Sequence, residues 1–135
     1  MKITEELMPC LQGAIPSQIV TVNEDNIPNT TIISQVFPAD DEHVAISNQF
    51  FSKTFQNLQN NKKACVQVFD PSDLSFWTLD LEMVRIEDEG DLFDEMSMQL
   101  EAIASMSGME DVFVLKSAYI LKVLNFHHVT EAMDL

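Results

Sequence analysis

The chain has 135 residues, of which 46% are hydrophobic and 21% charged, so it has enough apolar side chains to build one hydrophobic core. Its 7 basic and 22 acidic side chains give a formal net charge of −15, which excludes the basic surface that nucleic-acid binding requires. No stretch approaches the roughly 18 uncharged apolar residues of a membrane helix, and residues 1–13 lack the apolar segment of a signal peptide. We therefore expect one domain over residues 1–135, soluble and cytoplasmic, with neither nucleic acid nor a membrane as partner.

The first part of the chain predicts a short helix followed by strands. Thr4 to Leu11 has apolar residues at helical spacing, with Thr4 placed to cap the helix. Ser17 to Val22 is rich in β-branched residues, and the turn-forming cluster Asn23 to Asn26 follows it. Asn29 to Phe37 is therefore expected to be the second arm of a hairpin, and His43 to Ser47 the third strand.

The middle of the chain alternates between helical and strand patterns. Ser52 to Asn61 has helical periodicity, and Ser52 is a good N-cap residue. Ala64 to Phe69 and Ser75 to Ile86 predict two strands. The second of these alternates imperfectly, which indicates a bulge or two buried faces.

The last part predicts one clear helix and one or two strands. Asp91 to Ser105 is the helix, since its apolar residues follow a 4,4,3 spacing: Leu92, Met96, Leu100 and Ile103. Val112 to Leu115 and Ala118 to His127 predict a final pair of strands or one bent strand. The pattern as a whole indicates a mainly β (α+β) protein built on a closed or partly closed barrel.

Few residues offer chemistry of their own. The three glycines are too scattered for a dinucleotide fingerprint, a phosphate-binding loop or a nucleophile elbow. Cys10 and Cys65 are too few for a disulfide framework and are expected to be reduced and buried. His127 and His128 are adjacent in a predicted strand, so their side chains should point to opposite faces. We therefore predict no metal site.

One segment predicts an anion site. The strand that ends at Ser47, Asn48 and Gln49 leads into a helix whose first turn has free N–H groups, and this turn contains Lys53 and Thr54. Helix-start N–H groups and the helix dipole favour negative charge, while lysine adds a full positive charge and threonine a hydroxyl donor. In the competing interpretation, Ser52 only caps the helix and Lys53 is only solvated.

At these residues the sequence resembles the pyridoxamine 5′-phosphate oxidase-like family of FMN-binding split barrels. The resemblance covers nearly the whole chain and is distributed over these segments: Gly13 to Ser17, Pro28 to Thr31, His43 to Thr54, Asn60 to Val66, Asp91 to Met96 and Gly108 to Phe113. It implies a six-stranded split β-barrel with short flanking helices. It also implies a homodimer with two FMN sites at the subunit interface.

The resemblance also implies a role for each matching position. Lys53 and Thr54, helped by Ser52, would hold the FMN phosphate. The ribityl chain and the isoalloxazine ring would be contacted from two strands, through Ser47, Asn48 and Gln49 and through Thr31 to Ser34. No acid or base stands out as catalytic, so the implied activity is that of a flavin-dependent reductase acting on an unknown small substrate.

The chain departs from the family pattern directly after the lysine and threonine. Relatives often have one or two arginines there, where this chain has Phe55 and Gln56. Each lost arginine contact would weaken phosphate binding by about 1.5–3 kcal/mol. The alternative function is therefore a non-catalytic split-barrel dimer that has lost tight FMN binding and acts as a small-molecule-binding or regulatory module. A third alternative is haem held by His127 or His128.

The dimer contact is predicted from aromatic residues. Leu74 to Leu81 includes Phe76 and Trp77, and aromatic side chains are enriched in the cores of interfaces. In the other interpretation, Trp77 lies in the core of the barrel.

Overall fold

The computed structural model of the chain describes residues 1–11, 16–33, 36–48, 52–70, 74–106 and 115–129. These residues form a short 3₁₀ helix, seven strands and two α-helices. In chain order they are the 3₁₀ helix Met8–Leu11, β1 Ser17–Val22, β2 Pro28–Ile33, β3 Val36–Pro38, β4 His43–Asn48, α1 Ser52–Asn60, β5 Lys63–Asp70, β6 Ser75–Glu87, α2 Asp91–Met106 and β7 Ser117–His128. None of the helices in these ranges has the length and hydropathy needed to cross a membrane.

The strands form one curled antiparallel sheet in the order β2-β1-β5-β6-β7-β4-β3. Its edge strands, β2 and β3, are consecutive in the sequence. Ile33 ends β2 and Val36 begins β3, so their Cα atoms are at most about 11 Å apart. The two edges therefore approach each other between Ile33 and Val36, and the sheet curls into a half-barrel. This mainly β fold with few short helices confirms the predicted fold class.

The described residues form seven strands rather than the predicted six. The expected arm Asn29 to Phe37 contains most of β2 and part of β3, which pair with different strands. Thr31 of β2 pairs with β1, whereas Val36 of β3 pairs with Ile46 of β4. This change of pairing partner leaves no mark in the hydrophobic pattern, because both strands are β-rich.

Two apolar clusters lie on opposite sides of the sheet. The barrel interior is filled from alternating strand positions, of which the largest fully buried members include Ile19, Ile33, Ile46, Leu79, Leu81 and Leu121. On the outside, Met96 and Leu100 of α2 pack against Ala45, Ala118 and Ile120. The predicted apolar face of α2 is thereby confirmed at these two positions, since both are at most 1% exposed.

Two further sequence predictions are confirmed. The register between β6 and β7 shifts between Asp80 and Leu81 and again between Met83 and Arg85, which is the predicted irregularity. Trp77 is 9% exposed and belongs to the interior cluster. Of the two interpretations of Trp77, the structure therefore supports the core.

The predicted N-terminal helix is shorter than expected. Thr4 to Leu11 contains only the 3₁₀ turn Met8–Leu11. Pro9 has no N–H to donate and limits helix formation on its N-terminal side. Most of the predicted strand Val112 to Leu115 lies outside the described residues.

Candidate functional site

The candidate site begins at α1, which the core holds in place. Phe55 and Leu58 are three residues apart on one face of the helix, and both are at most 3% exposed. The ring of Phe55 lies 4.4 Å from that of Tyr119 on β7, measured between centroids. Gln59 Nε2 donates to the Tyr119 hydroxyl at 3.1 Å. These contacts fix the first turn of α1 relative to the barrel.

Thr54 faces β2. It is 2% exposed, and its hydroxyl oxygen accepts a hydrogen bond from Asn29 Nδ2 at 3.3 Å. This bond leaves the hydroxyl proton available to donate. Thr31 follows Asn29 by two residues and so lies on the same face of β2. The structure therefore brings the predicted residues Thr54 and Thr31 to one side of the hairpin.

Lys53 points elsewhere, because consecutive residues of a helix are about 100° apart around its axis. Its side chain is exposed and forms no ion pair with any described residue. It lines a pocket of about 260 Å³ between α1 and the turn that joins β1 to β2. We call this the turn pocket; its lining residues are Asn23, Glu24, Asp25, Lys53, Gln56, Asn57 and Asn60.

The end of β4 is fastened to β7. Ser47 is 2% exposed and lies opposite Ala118, while Asn48 Nδ2 donates to the Ser117 hydroxyl at 3.0 Å. The carbonyl oxygen of Asn48 accepts from Lys116 N at 2.9 Å. The side-chain amide of Asn48, predicted to face a ligand, is therefore engaged at least partly in joining two strands.

Three other predicted positions complete the segment. Ser52 is the first residue of α1. Its Cα lies within about 15 Å of the Cα of Asn48, because only residues 49–51 separate them. Gln49 and Ser34 lie outside the described residues.

The two departures from the family pattern occupy different environments. Phe55 is part of the interior core, so its side chain points away from the turn pocket. Gln56 lines that pocket together with Lys53, three residues earlier on the helix. Of these two positions, only position 56 therefore offers a place where a basic side chain adds charge beside Lys53.

None of the three histidines lines the turn pocket. His43 Nδ1 is 2.8 Å from Asp40 Oδ1. His128 packs edge-on against Trp77 at 4.9 Å, and His127 is exposed opposite Thr78, so the pair lies on two faces as predicted. Within the described ranges, no group of three or more His, Cys, Asp or Glu side chains is arranged to hold a metal ion.

The start of α1 offers the types of donor that bind a phosphate group, on two sides of the helix. They are the first-turn N–H groups, the hydroxyl proton of Thr54 and the ammonium of Lys53, which forms no ion pair with a described residue. Glu24 and Asp25 line the same pocket as Lys53 and repel an anion, so the pocket carries both positive and negative charge.

Sequence reasoning missed several residues of this region. The sequence pattern assigns Asn29 only to a strand, and Glu24 and Asp25 only to a turn. The helical spacing of Lys53, Gln56, Asn57 and Asn60, at i, i+3, i+4 and i+7, was a signal that these four side chains share one face. The position of the β1–β2 turn opposite that face depends on the tertiary structure.

Comparison with solved structures shows the same fold in proteins with different ligands. The chain is similar to an FMN-binding protein from Syntrophomonas wolfei, with 22% identity, a TM-score of 0.76, and 92% of this chain and 84% of that chain covered. It is similar to an F420 reductase, with 12% identity, a TM-score of 0.67, and coverage of 93% and 98%. It is also similar to the haem storage protein HutZ from Vibrio cholerae, with 14% identity, a TM-score of 0.62, and 95% coverage of both chains.

The sequence itself identifies the family. No curated protein matches the chain. The family model for pyridoxamine 5′-phosphate oxidase, however, matches residues 3–123, which is most of its length. The chain therefore belongs to the pyridoxamine 5′-phosphate oxidase family.

Proposed function

We propose that this protein is an FMN-binding split-barrel flavoprotein that acts as an oxidoreductase on a small substrate. The proposal rests on the side chains at the start of α1. There Lys53, which has no ion-pair partner in the part of the chain that the structure describes, is followed by Thr54, whose hydroxyl is joined to β2 through Asn29. Family membership and the similarity to an FMN-binding protein support the same ligand.

In this proposal the protein positions the cofactor. Lys53 binds the phosphate as a charged donor, and Thr54 donates its hydroxyl proton to a phosphate oxygen. Thr31 on β2 and the end of β4 contact the rest of the molecule. When bound, FMN supplies the hydride- or electron-transfer chemistry. The first turn of α1 itself contributes no histidine or carboxylic acid; the carboxylates beside Lys53, those of Glu24 and Asp25, belong to the β1–β2 turn.

An absorption spectrum tests this proposal. The purified protein is incubated with FMN, desalted and measured in the visible range, as wild type and as Lys53→Ala. We expect the wild type to retain flavin and Lys53→Ala to retain less. Lys2→Ala is the matched control, because it removes the same charge from an exposed lysine outside the turn pocket.

The outcome also separates the other candidates. A colourless wild type that takes up no FMN overturns the flavoprotein proposal and leaves the non-catalytic ligand-binding or regulatory dimer. The specific observation behind that alternative is the turn pocket, where two carboxylates and Gln56 surround Lys53. A Soret band after incubation with haem would instead support the haem alternative, with His127 or His128 as the ligand to test.

We also propose that the protein is a cytoplasmic homodimer. Exposed apolar side chains are concentrated on β6 and just before it, where Leu74, Phe76, Val84 and Ile86 are 70%, 42%, 45% and 45% exposed. Burying such side chains favours association. Neither Cys10 nor Cys65 forms a disulfide with a described residue, which suits a reducing compartment.

A further inference from the structure

The turn pocket has features that a phosphate site does not need. We propose that it binds a small zwitterion, a molecule that carries one ammonium group and one acid group. This inference goes beyond the proposed flavin binding; the two share Lys53, so a zwitterion and the FMN phosphate would compete for that side chain. It rests on the charges of the two pocket walls, on one buried amide and on the fixed geometry of both walls.

The two walls carry opposite charges. The β1–β2 turn contributes Glu24 and Asp25, whereas α1 contributes Lys53. A purely anionic ligand is repelled by the turn, and a purely cationic ligand is repelled by the lysine. A ligand with both charges gains from both walls, with its ammonium on the carboxylates and its acid group on Lys53.

Asn57 supplies an independent indication of a ligand. It lines the pocket but is only 5% exposed. Its Nδ2 donates to the Thr21 hydroxyl at 3.1 Å, while its Oδ1 accepts no hydrogen bond from any described residue. A buried acceptor without a partner costs free energy unless a water or ligand satisfies it. An ammonium group held by Glu24 and Asp25 is the kind of donor that this oxygen requires.

Both walls are held in position before any ligand arrives. Asn23 Oδ1 accepts hydrogen bonds from Asp25 N at 2.8 Å and Ile27 N at 3.0 Å, which fixes the turn. On the other side, the buried Phe55 and Leu58 hold α1. The volume of about 260 Å³ is slightly below the usual range of about 300–1,000 Å³ for sites of drug-sized ligands. The ligand is therefore a compact molecule.

A matched series of probes tests the charge requirement. 4-Aminobutanoate carries both groups, butanoate only the acid and butylammonium only the amine, all on a four-carbon skeleton. Each is titrated into ¹⁵N-labelled protein, and amide shifts of residues 23–25 and 53–60 are followed by NMR. We expect 4-aminobutanoate to bind at least about tenfold more tightly than either single-charge probe, since it adds a second charge-assisted contact.

Variants assign the two charges to their walls. In the variant that combines Glu24→Gln with Asp25→Asn, 4-aminobutanoate should bind no more tightly than butanoate binds to the same variant. In Lys53→Met, 4-aminobutanoate should bind no more tightly than butylammonium binds to that variant. The controls Lys2→Met and Asp41→Asn change an exposed pair outside the pocket and should have no effect.

Two outcomes would overturn the proposal. Equal affinity for butanoate and 4-aminobutanoate would make the pocket a simple anion site. The absence of shifts at these residues with any probe would mean that no such site exists. Flavin retention is measured separately, so failure of flavin binding and failure of this proposal are distinguishable.

Discussion

The ring of Phe55 packs against that of Tyr119 at 4.4 Å, and this contact directs the fourth residue of α1 into the barrel core. The family resemblance leads us to expect arginine at one or both of positions 55 and 56, but an arginine at position 55 would meet an apolar interior. Of these two positions, only Gln56 lines the turn pocket, where a positive charge would lie beside Lys53.

The first prediction compares two arginine substitutions. Phe55→Arg places a charge among buried apolar side chains and loses the Tyr119 contact, so it should lower the free energy of unfolding by about 3–5 kcal/mol. Gln56→Arg adds a charge beside Lys53 and should lower the dissociation constant of FMN by about tenfold while changing stability by less than about 0.5 kcal/mol.

Urea unfolding and flavin titration measure these two effects. Gln56→Glu is the matched control at the same position, and it should weaken FMN binding. Tighter FMN binding by Phe55→Arg with unchanged stability would contradict the assignment of position 55 to the core.

The second prediction concerns the proposed dimer. Phe76→Glu places a negative charge at an exposed apolar position of β6 and should shift the protein towards monomer, as measured by sedimentation velocity. Met98→Glu is the control, because Met98 on α2 is 70% exposed and adds the same charge. Dissociation by both variants, or a monomeric wild type, would argue against a contact through β6.

The third prediction concerns Cys65, a half-buried residue opposite Asp80 in the sheet. Burial raises the pKa of the Cys65 thiol, and the neighbouring Asp80 carboxylate raises it further. Because the thiolate is the reactive form, iodoacetamide should modify Cys65 slowly at pH 8, and Asp80→Asn should increase the rate. Peptide mapping by mass spectrometry separates Cys65 from Cys10.

An unchanged rate in Asp80→Asn would show that the carboxylate does not control the thiol. Glu82→Gln provides the control, since it removes a carboxylate from the neighbouring part of the same strand.

The fourth prediction concerns pH. Burial acts to raise the pKa of Asp40, but hydrogen bonds from Glu42 N and His43 outweigh it and hold the pKa below its ordinary value. The ionised carboxylate therefore stabilises the fold above the unfolded-state pKa of about 3.9, and this contribution is lost as the pH falls through the lower folded-state value.

Asp40→Asn should therefore be less stable than wild type at about pH 6, and the difference should shrink below about pH 4. Urea unfolding at a series of pH values measures this difference in the free energy of unfolding. Asp41→Asn is the control, because Asp41 is exposed and pairs only at 4.0 Å with Lys2. A pH-independent difference between wild type and Asp40→Asn would show that the carboxylate is not the source of the effect.

Local sequence patterns were sufficient to predict most elements of secondary structure. The alternation in Ser17–Val22 and the helical spacing of Met96 and Leu100 identify β1 and α2, because each element buries one face and its side chains repeat with the period of the backbone. The same patterns did not show that the predicted second arm of the hairpin, Asn29 to Phe37, divides into β2 and β3. That division depends on which strand each half pairs with.

For the candidate site, the sequence by itself determined that Lys53 and Thr54 lie in the first turn of a helix that follows a strand. Only the tertiary structure decided that Thr54 faces Asn29 while Lys53 faces Glu24 and Asp25. The physical reason is that a helix separates consecutive side chains by about 100°, and the surrounding elements determine what each side chain meets. The β1–β2 turn and α1 are brought together by sheet curvature and core packing, which involve residues far apart in the chain.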